Sequence, residues 1–243
     1  MSTDTHRHFH DELNQVKIRL LTMSGEAEAG LGLAVEALLE RDSDKARRAI
    51  HGDRVIDAME VEIEEQCINL LALQQPMAKD LRMLTSALKI ANDLERVGDH
   101  AVNIAQSADR LSRSRPIAPE PELVEMARLA REMLSDALEA FIRGDAAAGR
   151  EICLRDDKVD ALHRSVFRIL LTHMMEDPHM IGVGMELFLV SRNLERVADL
   201  ATNIAEDVVF LVEGKSIKHH AEDRGEDRDP GRPDAPGPGP GPA

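Results

Sequence analysis

Tryptophan and tyrosine are absent from this chain of 243 residues, and five phenylalanines bring aromatic content to only 2%. Leu, Ile, Val, Met and Ala must fill any core, which is a helical palette. Bases would find nothing to stack on, and a formal net charge of −15 opposes contact with phosphate backbones, so nucleic acid is a poor ligand class. Cations and basic protein surfaces suit this charge better. Cysteine is scarce: Cys67 and Cys153 stand alone in apolar stretches without CxxC spacing, which argues against a disulfide framework or a thiolate metal site and reads as core thiols. No apolar run approaches the roughly 18 residues of a spanning helix, and the opening MSTDTHRHFHDEL carries no apolar signal segment. The expected location is cytoplasmic, at most peripheral to a membrane. There is no GxxxxGK[ST] phosphate loop, no GxSxG and no nucleophile with a matching base, so no catalytic residue is expected.

Proline is sparse except at the C-terminus, where six of the eleven lie in RDPGRPDAPGPGPGPA. Such a segment cannot bury enough apolar surface to order itself, and residues 214–243 are expected to be a disordered tail. The others, Pro76, Pro116, Pro119, Pro121 and Pro178, punctuate long stretches of 3.6-residue apolar periodicity. Helices are expected near 8–41, 44–74, 77–112, 120–143, 146–175 and 179–213, with Asp42 or Ser43 and Asp145 as N-caps.

The chain repeats itself. DLERVGDHAVNIA at 93–105 returns as NLERVADLATNIA at 193–205, and Glu36, Ala37, Asp42, Arg47, Asp53 and Asp57 return 103 positions later as Glu139, Ala140, Asp145, Arg150, Asp156 and Asp160. The expected fold is all-α: two tandem three-helix bundles, 1–113 and 120–213, joined by a linker at 114–119.

Within each phrase Leu94, Val97, Ala101 and Ile104, or Leu194, Val197, Ala201 and Ile204, form a buried stripe. Glu95, Asp99 and Asn103, and likewise Glu195, Asp199 and Asn203, fall on an adjacent row, because residues four apart stack on a helix. With 45 acids, on the order of eight acidic i,i+4 pairs would arise by chance, so one row means little. A second pair on the preceding helix sharpens it. Asp57 lies 19 residues before Pro76 and Glu95 lies 19 after it, while Asp53 and Asp99 are each 23 away. Antiparallel helices with a common rise bring these four carboxylates to one height. About Pro178, Asp160 and Glu195 are 18 and 17 residues away, and Asp156 and Asp199 are 22 and 21.

Four carboxylates at one level repel and call for positive charge. Arg96 and Arg196 offer surface ion pairs; a hard divalent cation such as Mg, Ca, Mn or Fe would accept all-oxygen ligation. The Glu-x-x-His of ferritin-like dimetal enzymes is missing, since Gly98 and Ala198 stand where histidine would be needed. His51 and His163 lie near the carboxylate level but have no counterparts in the other half, and His6, His8 and His10 occupy a terminal segment expected to fray.

The tandem halves, the two LER phrases, QQPMAKDLR at the first turn, and DRVID and DDKVD on the preceding helices resemble the PhoU family of phosphate-transport regulators over about residues 8–213. The family's metal-binding E(D)xxxD motifs match Asp53 and Asp57, Glu95 and Asp99, Asp156 and Asp160, and Glu195 and Asp199. EDPHMIGVG around Pro178 departs from the family's QPxxxDLR pattern, which marks the second half as the more divergent site. The resemblance implies a cytoplasmic, often dimeric, non-enzymatic protein that binds divalent metal ions and restrains the phosphate-starvation response by linking a phosphate ABC transporter's ATPase subunit to a sensor histidine kinase. From other classes, the residues alone also admit a carboxylate-bridged metal enzyme with unusual ligands, or a structural helical adaptor.

Overall fold

Phe9, Leu13, Val16, Leu20, Met23, Ala27, Leu31, Ala34 and Leu38 recur every three or four residues and are all buried, drawing one long helix, α1 (Ser2–Glu40), onto its neighbours. A computed structural model describes residues 2–74, 76–114 and 119–217, with the backbone alone for residues 2–7. Most of the Pro/Gly-rich tail and the centre of the expected linker lie outside the described residues. Among the described residues the chain is helical and has no strand. α1, α2 (Ser43–Gln74) and α3 (Ala78–Ser112) pack as one bundle. α4 (Pro121–Arg143), α5 (Ala146–Cys153), α6 (Asp156–Glu176) and α7 (Ile181–Glu213) form the second, in which α5 and α6 together occupy the place of α2. The tandem three-helix architecture is therefore present, with one of its six rods broken at Leu154–Arg155. Helix α1 runs six residues further toward the N-terminus than the periodicity predicts, from residue 8 back to Ser2.

The first turn of each bundle is built the same way. Arg41 (φ 57°) and Gly144 (φ 63°) hold equivalent left-handed positions after α1 and α4. The next amide reaches back across the helix end, from Asp42 to the Ala37 carbonyl at 3.0 Å and from Asp145 to the Ala140 carbonyl at 2.9 Å. Both aspartates then cap the following helix: Asp42 Oδ1 accepts from the Asp44 and Lys45 amides, and Asp145 Oδ1 from those of Ala147 and Ala148. Arg41, which carries the steric cost of a side chain there, also donates from its guanidinium to the Leu111 and Ser114 carbonyls at the end of α3.

α3 and α7 are buried on more than one side because each serves its own bundle and the seam between bundles, whereas α2 and α6 lie outside and bury single stripes such as Ile56, Ile63 and Leu70 or Val159, Val166 and Leu170. The seam is antiparallel. Lys89 meets Asp207, His100 Nδ1 meets Asn193 Oδ1 at 2.9 Å, and Arg110 holds Glu186 through two bonds of 2.7 and 2.9 Å. The acid rows of α3 and α7 thereby come to the middle of the molecule.

Candidate functional site

In the first bundle α2 and α3 meet in the predicted register. Helix α2 lies so close to α3 that a β-carbon on Gly98 would stand 2.5 Å from Asp53 Oδ1 and 3.2 Å from Ile56 Cδ1. The glycine makes the space the aspartate occupies. Asp53 Oδ1 is buried and accepts no hydrogen bond, an expensive state for a carboxylate oxygen. Burial first, then the Asp57 and Asp99 charges, push Asp53 up to about 6. Glu95 is also raised, by burial and then by Asp99, Asp57, Glu60 and Asp53. All four predicted carboxylates thus act on one another, and Glu60 joins them. Among the described residues, none of Asp53, Asp57, Glu95 and Asp99 forms an ion pair.

The second bundle gathers Asp156, Asp160, Glu195 and Asp199 in the same way, with Asp157 added. Burial, followed by Asp199, Asp160, Asp157 and Glu195, pushes Asp156 up to about 6. Here cations intervene. Arg196 Nη1 lies 2.8 Å from Asp199 Oδ2 and its Nε lies 3.5 Å from Glu195, while Arg164 Nη1 lies 3.6 Å from Asp160. Asp199 is raised by burial, with Arg196 opposing the shift and His100 from across the seam adding to that opposition. Because the rod is broken, Asp156 and Asp157 fall in the first turn of α6, where helix amides favour negative charge; Asp53 sits inside unbroken α2.

The other predicted residues separate from these clusters. His51 Nδ1 pairs with the Arg47 carbonyl of its own helix, and His163 meets Ser191 Oγ at 3.1 Å and stacks on Phe188. His8 pairs with Glu12, His10 stands beside Phe9, and the His6 side chain lies outside the described residues. Asn103 lines a cleft on the seam with His100, Arg110 and Arg192. Cys67 is buried and Cys153 half-buried; both are unpaired, and burial pushes their thiols up to about 11, as core thiols require. Glu60 escaped notice because it lies off the i,i+4 rows, and Arg164, four residues after Asp160, because only acids were followed along them. Glu60 is three residues beyond Asp57, close enough to share its face.

Among the described residues no three His, Cys, Asp or Glu side chains stand close enough together to chelate an ion. The residues nevertheless fit a hard cation in kind: the donors are all carboxylate oxygens, and Asp53 Oδ1 is an orphaned buried acceptor lying in the space that a side chain at Gly98 would fill.

Comparison with known proteins places this geometry. The model of the PhoU domain matches twice, over residues 20–108 and 123–208. The phosphate-specific transport system accessory protein PhoU homolog of Aquifex aeolicus is 39% identical over 216 residues, covering 88% of this chain and 98% of the relative. The phosphate-specific transport system accessory protein PhoU of Escherichia coli is 36% identical over 215 residues, covering 87% of this chain and 88% of the relative. The crystal structure of PhoU from Pseudomonas aeruginosa superposes with a TM-score of 0.83 at 38% identity, covering 85% of this chain and all of that one.

Proposed function

This chain belongs to the PhoU domain family, and from that premise we propose that it is a non-enzymatic cytoplasmic regulator of phosphate uptake. It restrains the phosphate-starvation response when phosphate is plentiful by contacting both the ATPase subunit of a phosphate ABC transporter and a sensor histidine kinase, and it works as a homodimer. The observation that carries this reading is the match along nearly the whole length of relatives named as accessory proteins of phosphate transport. The fold supports it: two similar bundles joined along one seam present two related faces, which suits a protein that holds two partners. Among the described residues no helix is long and apolar enough to cross a membrane, so contact with a transporter would be through its soluble parts.

A divalent cation of the Mg, Mn or Fe type would be held by carboxylates of the two clusters, Asp53, Asp57, Glu95 and Asp99 in one and Asp156, Asp160, Glu195 and Asp199 in the other. It would supply positive charge where carboxylates crowd. A clean deletion of the gene tests the regulatory reading. Cells without the protein are expected to express starvation genes in phosphate-rich medium, and the tagged protein is expected to recover the ATPase or the kinase from lysate. Normal repression in the deletion strain would overturn the reading. Multiple-turnover oxidase or hydrolase activity lost on Glu95→Gln or Glu195→Gln would replace it with the enzyme alternative.

A further inference from the structure

We propose that the two carboxylate clusters are not equivalent cation sites: the first, on α2 and α3, takes a divalent cation, and the second, on α6 and α7, is neutralised by the chain's own arginines. This rests on the metal-binding part of the preceding reading and departs from the equivalence of the repeated motif. The first difference is one substitution in the repeat. Arg96 and Arg196 hold the same place, each three residues after position 93 or 193 and three before Asp99 or Asp199. In the first half the preceding position is Asp93, and Arg96 lies 4.0 Å from its carboxylate. In the second half that position is Asn193, which carries no charge and whose side-chain oxygen already meets His100. Arg196 has no acid three residues behind it; it reaches forward to Asp199 at 2.8 Å and lies 3.5 Å from the neighbouring Glu195.

Two further differences act in the same direction. Arg164, which pairs with Asp160, stands where the first half has Val61, and the broken rod sets Asp156 at a helix N-terminus. Gly98, which lets Asp53 press against α3, is Ala198 in the second half. The first cluster is thus left with crowded, unpaired carboxylates, and Asp53 sits against α3 in the space that Gly98 leaves. The second has guanidinium on three of its four carboxylates.

Mn²⁺ titration of the metal-stripped full chain, by calorimetry and by elemental analysis after dialysis, tests this. One Mn²⁺ per chain is expected; Asp99→Asn and Glu95→Gln are expected to lose it, and Asp199→Asn to keep it. Asn193→Asp combined with Arg164→Gln, which returns an acid behind Arg196 and frees Asp160, is expected to add a second Mn²⁺. Circular dichroism checks that each variant is folded. Two sites of equal affinity in the unaltered chain, or loss of Mn²⁺ on Asp199→Asn, would overturn the inequivalence while leaving metal binding intact. No uptake by any variant at millimolar Mn²⁺ would overturn metal binding itself, and the proposal with it, without touching the regulatory reading.

Discussion

Lys89 of α3 reaches across the seam to Asp207 of α7, with Nζ 3.3 Å from Oδ1 and 5.2 Å from the centre of the Phe210 ring. The two partners are unequal: the Asp207 side chain is 1% exposed and that of Lys89 is 50% exposed.

Removing the lysine takes a cation away from a buried carboxylate, whereas removing the aspartate's charge leaves a lysine that water can solvate. Lys89→Met is expected to cost about 1–3 kcal/mol, and Asp207→Asn clearly less. Urea denaturation of both variants measures the difference. Equal costs would show that the difference in exposure between the two side chains does not decide the energetics of this contact.

Gly98→Ala sets helix propensity against space. Alanine favours the helix by about 1 kcal/mol, while its β-carbon would displace Asp53 Oδ1, 2.5 Å away, and crowd Ile56. Global stability is expected to stay within about 1 kcal/mol of the parent, and Mn²⁺ affinity to fall by about tenfold, equivalent to 1.4 kcal/mol. Unchanged affinity would mean that the position of Asp53 against α3 is irrelevant to the ion.

Asp53 and Asp156 both titrate near 6 in the folded protein and near 3.9 when unfolded. Between those values the folded state holds more protons, so their contribution to stability is full below about 4 and is lost as pH rises through about 6. Other carboxylates run the opposite way: the hydrogen bond from Arg128 holds Glu125 down at about 2, and its contribution is lost only in stronger acid. Chelator-treated protein is therefore expected to melt higher at pH 5 than at pH 7, and Asp53→Asn to reduce that gain. Identical pH slopes for parent and variant by scanning calorimetry would contradict the assignment.

Gly144 sits at φ 63° after α4, a conformation that costs an L side chain about 1–2 kcal/mol. Gly144→Ala is expected to lower stability by about that amount in a thermal melt. At the equivalent position, Arg41→Gly relieves the same backbone cost but gives up the bonds to the Leu111 and Ser114 carbonyls, so little net change is expected.

The meeting of Asp53 with Asp99, and of Asp156 with Asp199, was legible in the sequence, since antiparallel helices climb equally from a proline turn and counting outward from Pro76 and Pro178 gives the register. The break in the fifth rod was not. Leu154 and Arg155 are good helix formers, and the weaker helix former, Gly52, occupies the place of Arg155 in the half whose helix is unbroken. At the break Arg155 pairs with Asp136 of α4, a contact between helices that local propensity does not register. Nor did the spacing, which is the same in both halves, show that Arg96 lies beside Asp93 while Arg196 lies beside Asp199.

A rotation that exchanges the halves across the α3–α7 seam would carry Lys89 and Asp207 onto Leu189 and Ser107, and Arg110 and Glu186 onto Phe210 and Ser86. None of these ion pairs has a mirror. In an assembly of two identical three-helix chains every change would be made twice, and a contact suited to one partner would be forced on the other. Writing both halves into a single chain removes that obligation, and each ion pair across this seam is one that two identical chains related by a twofold could form only in duplicate.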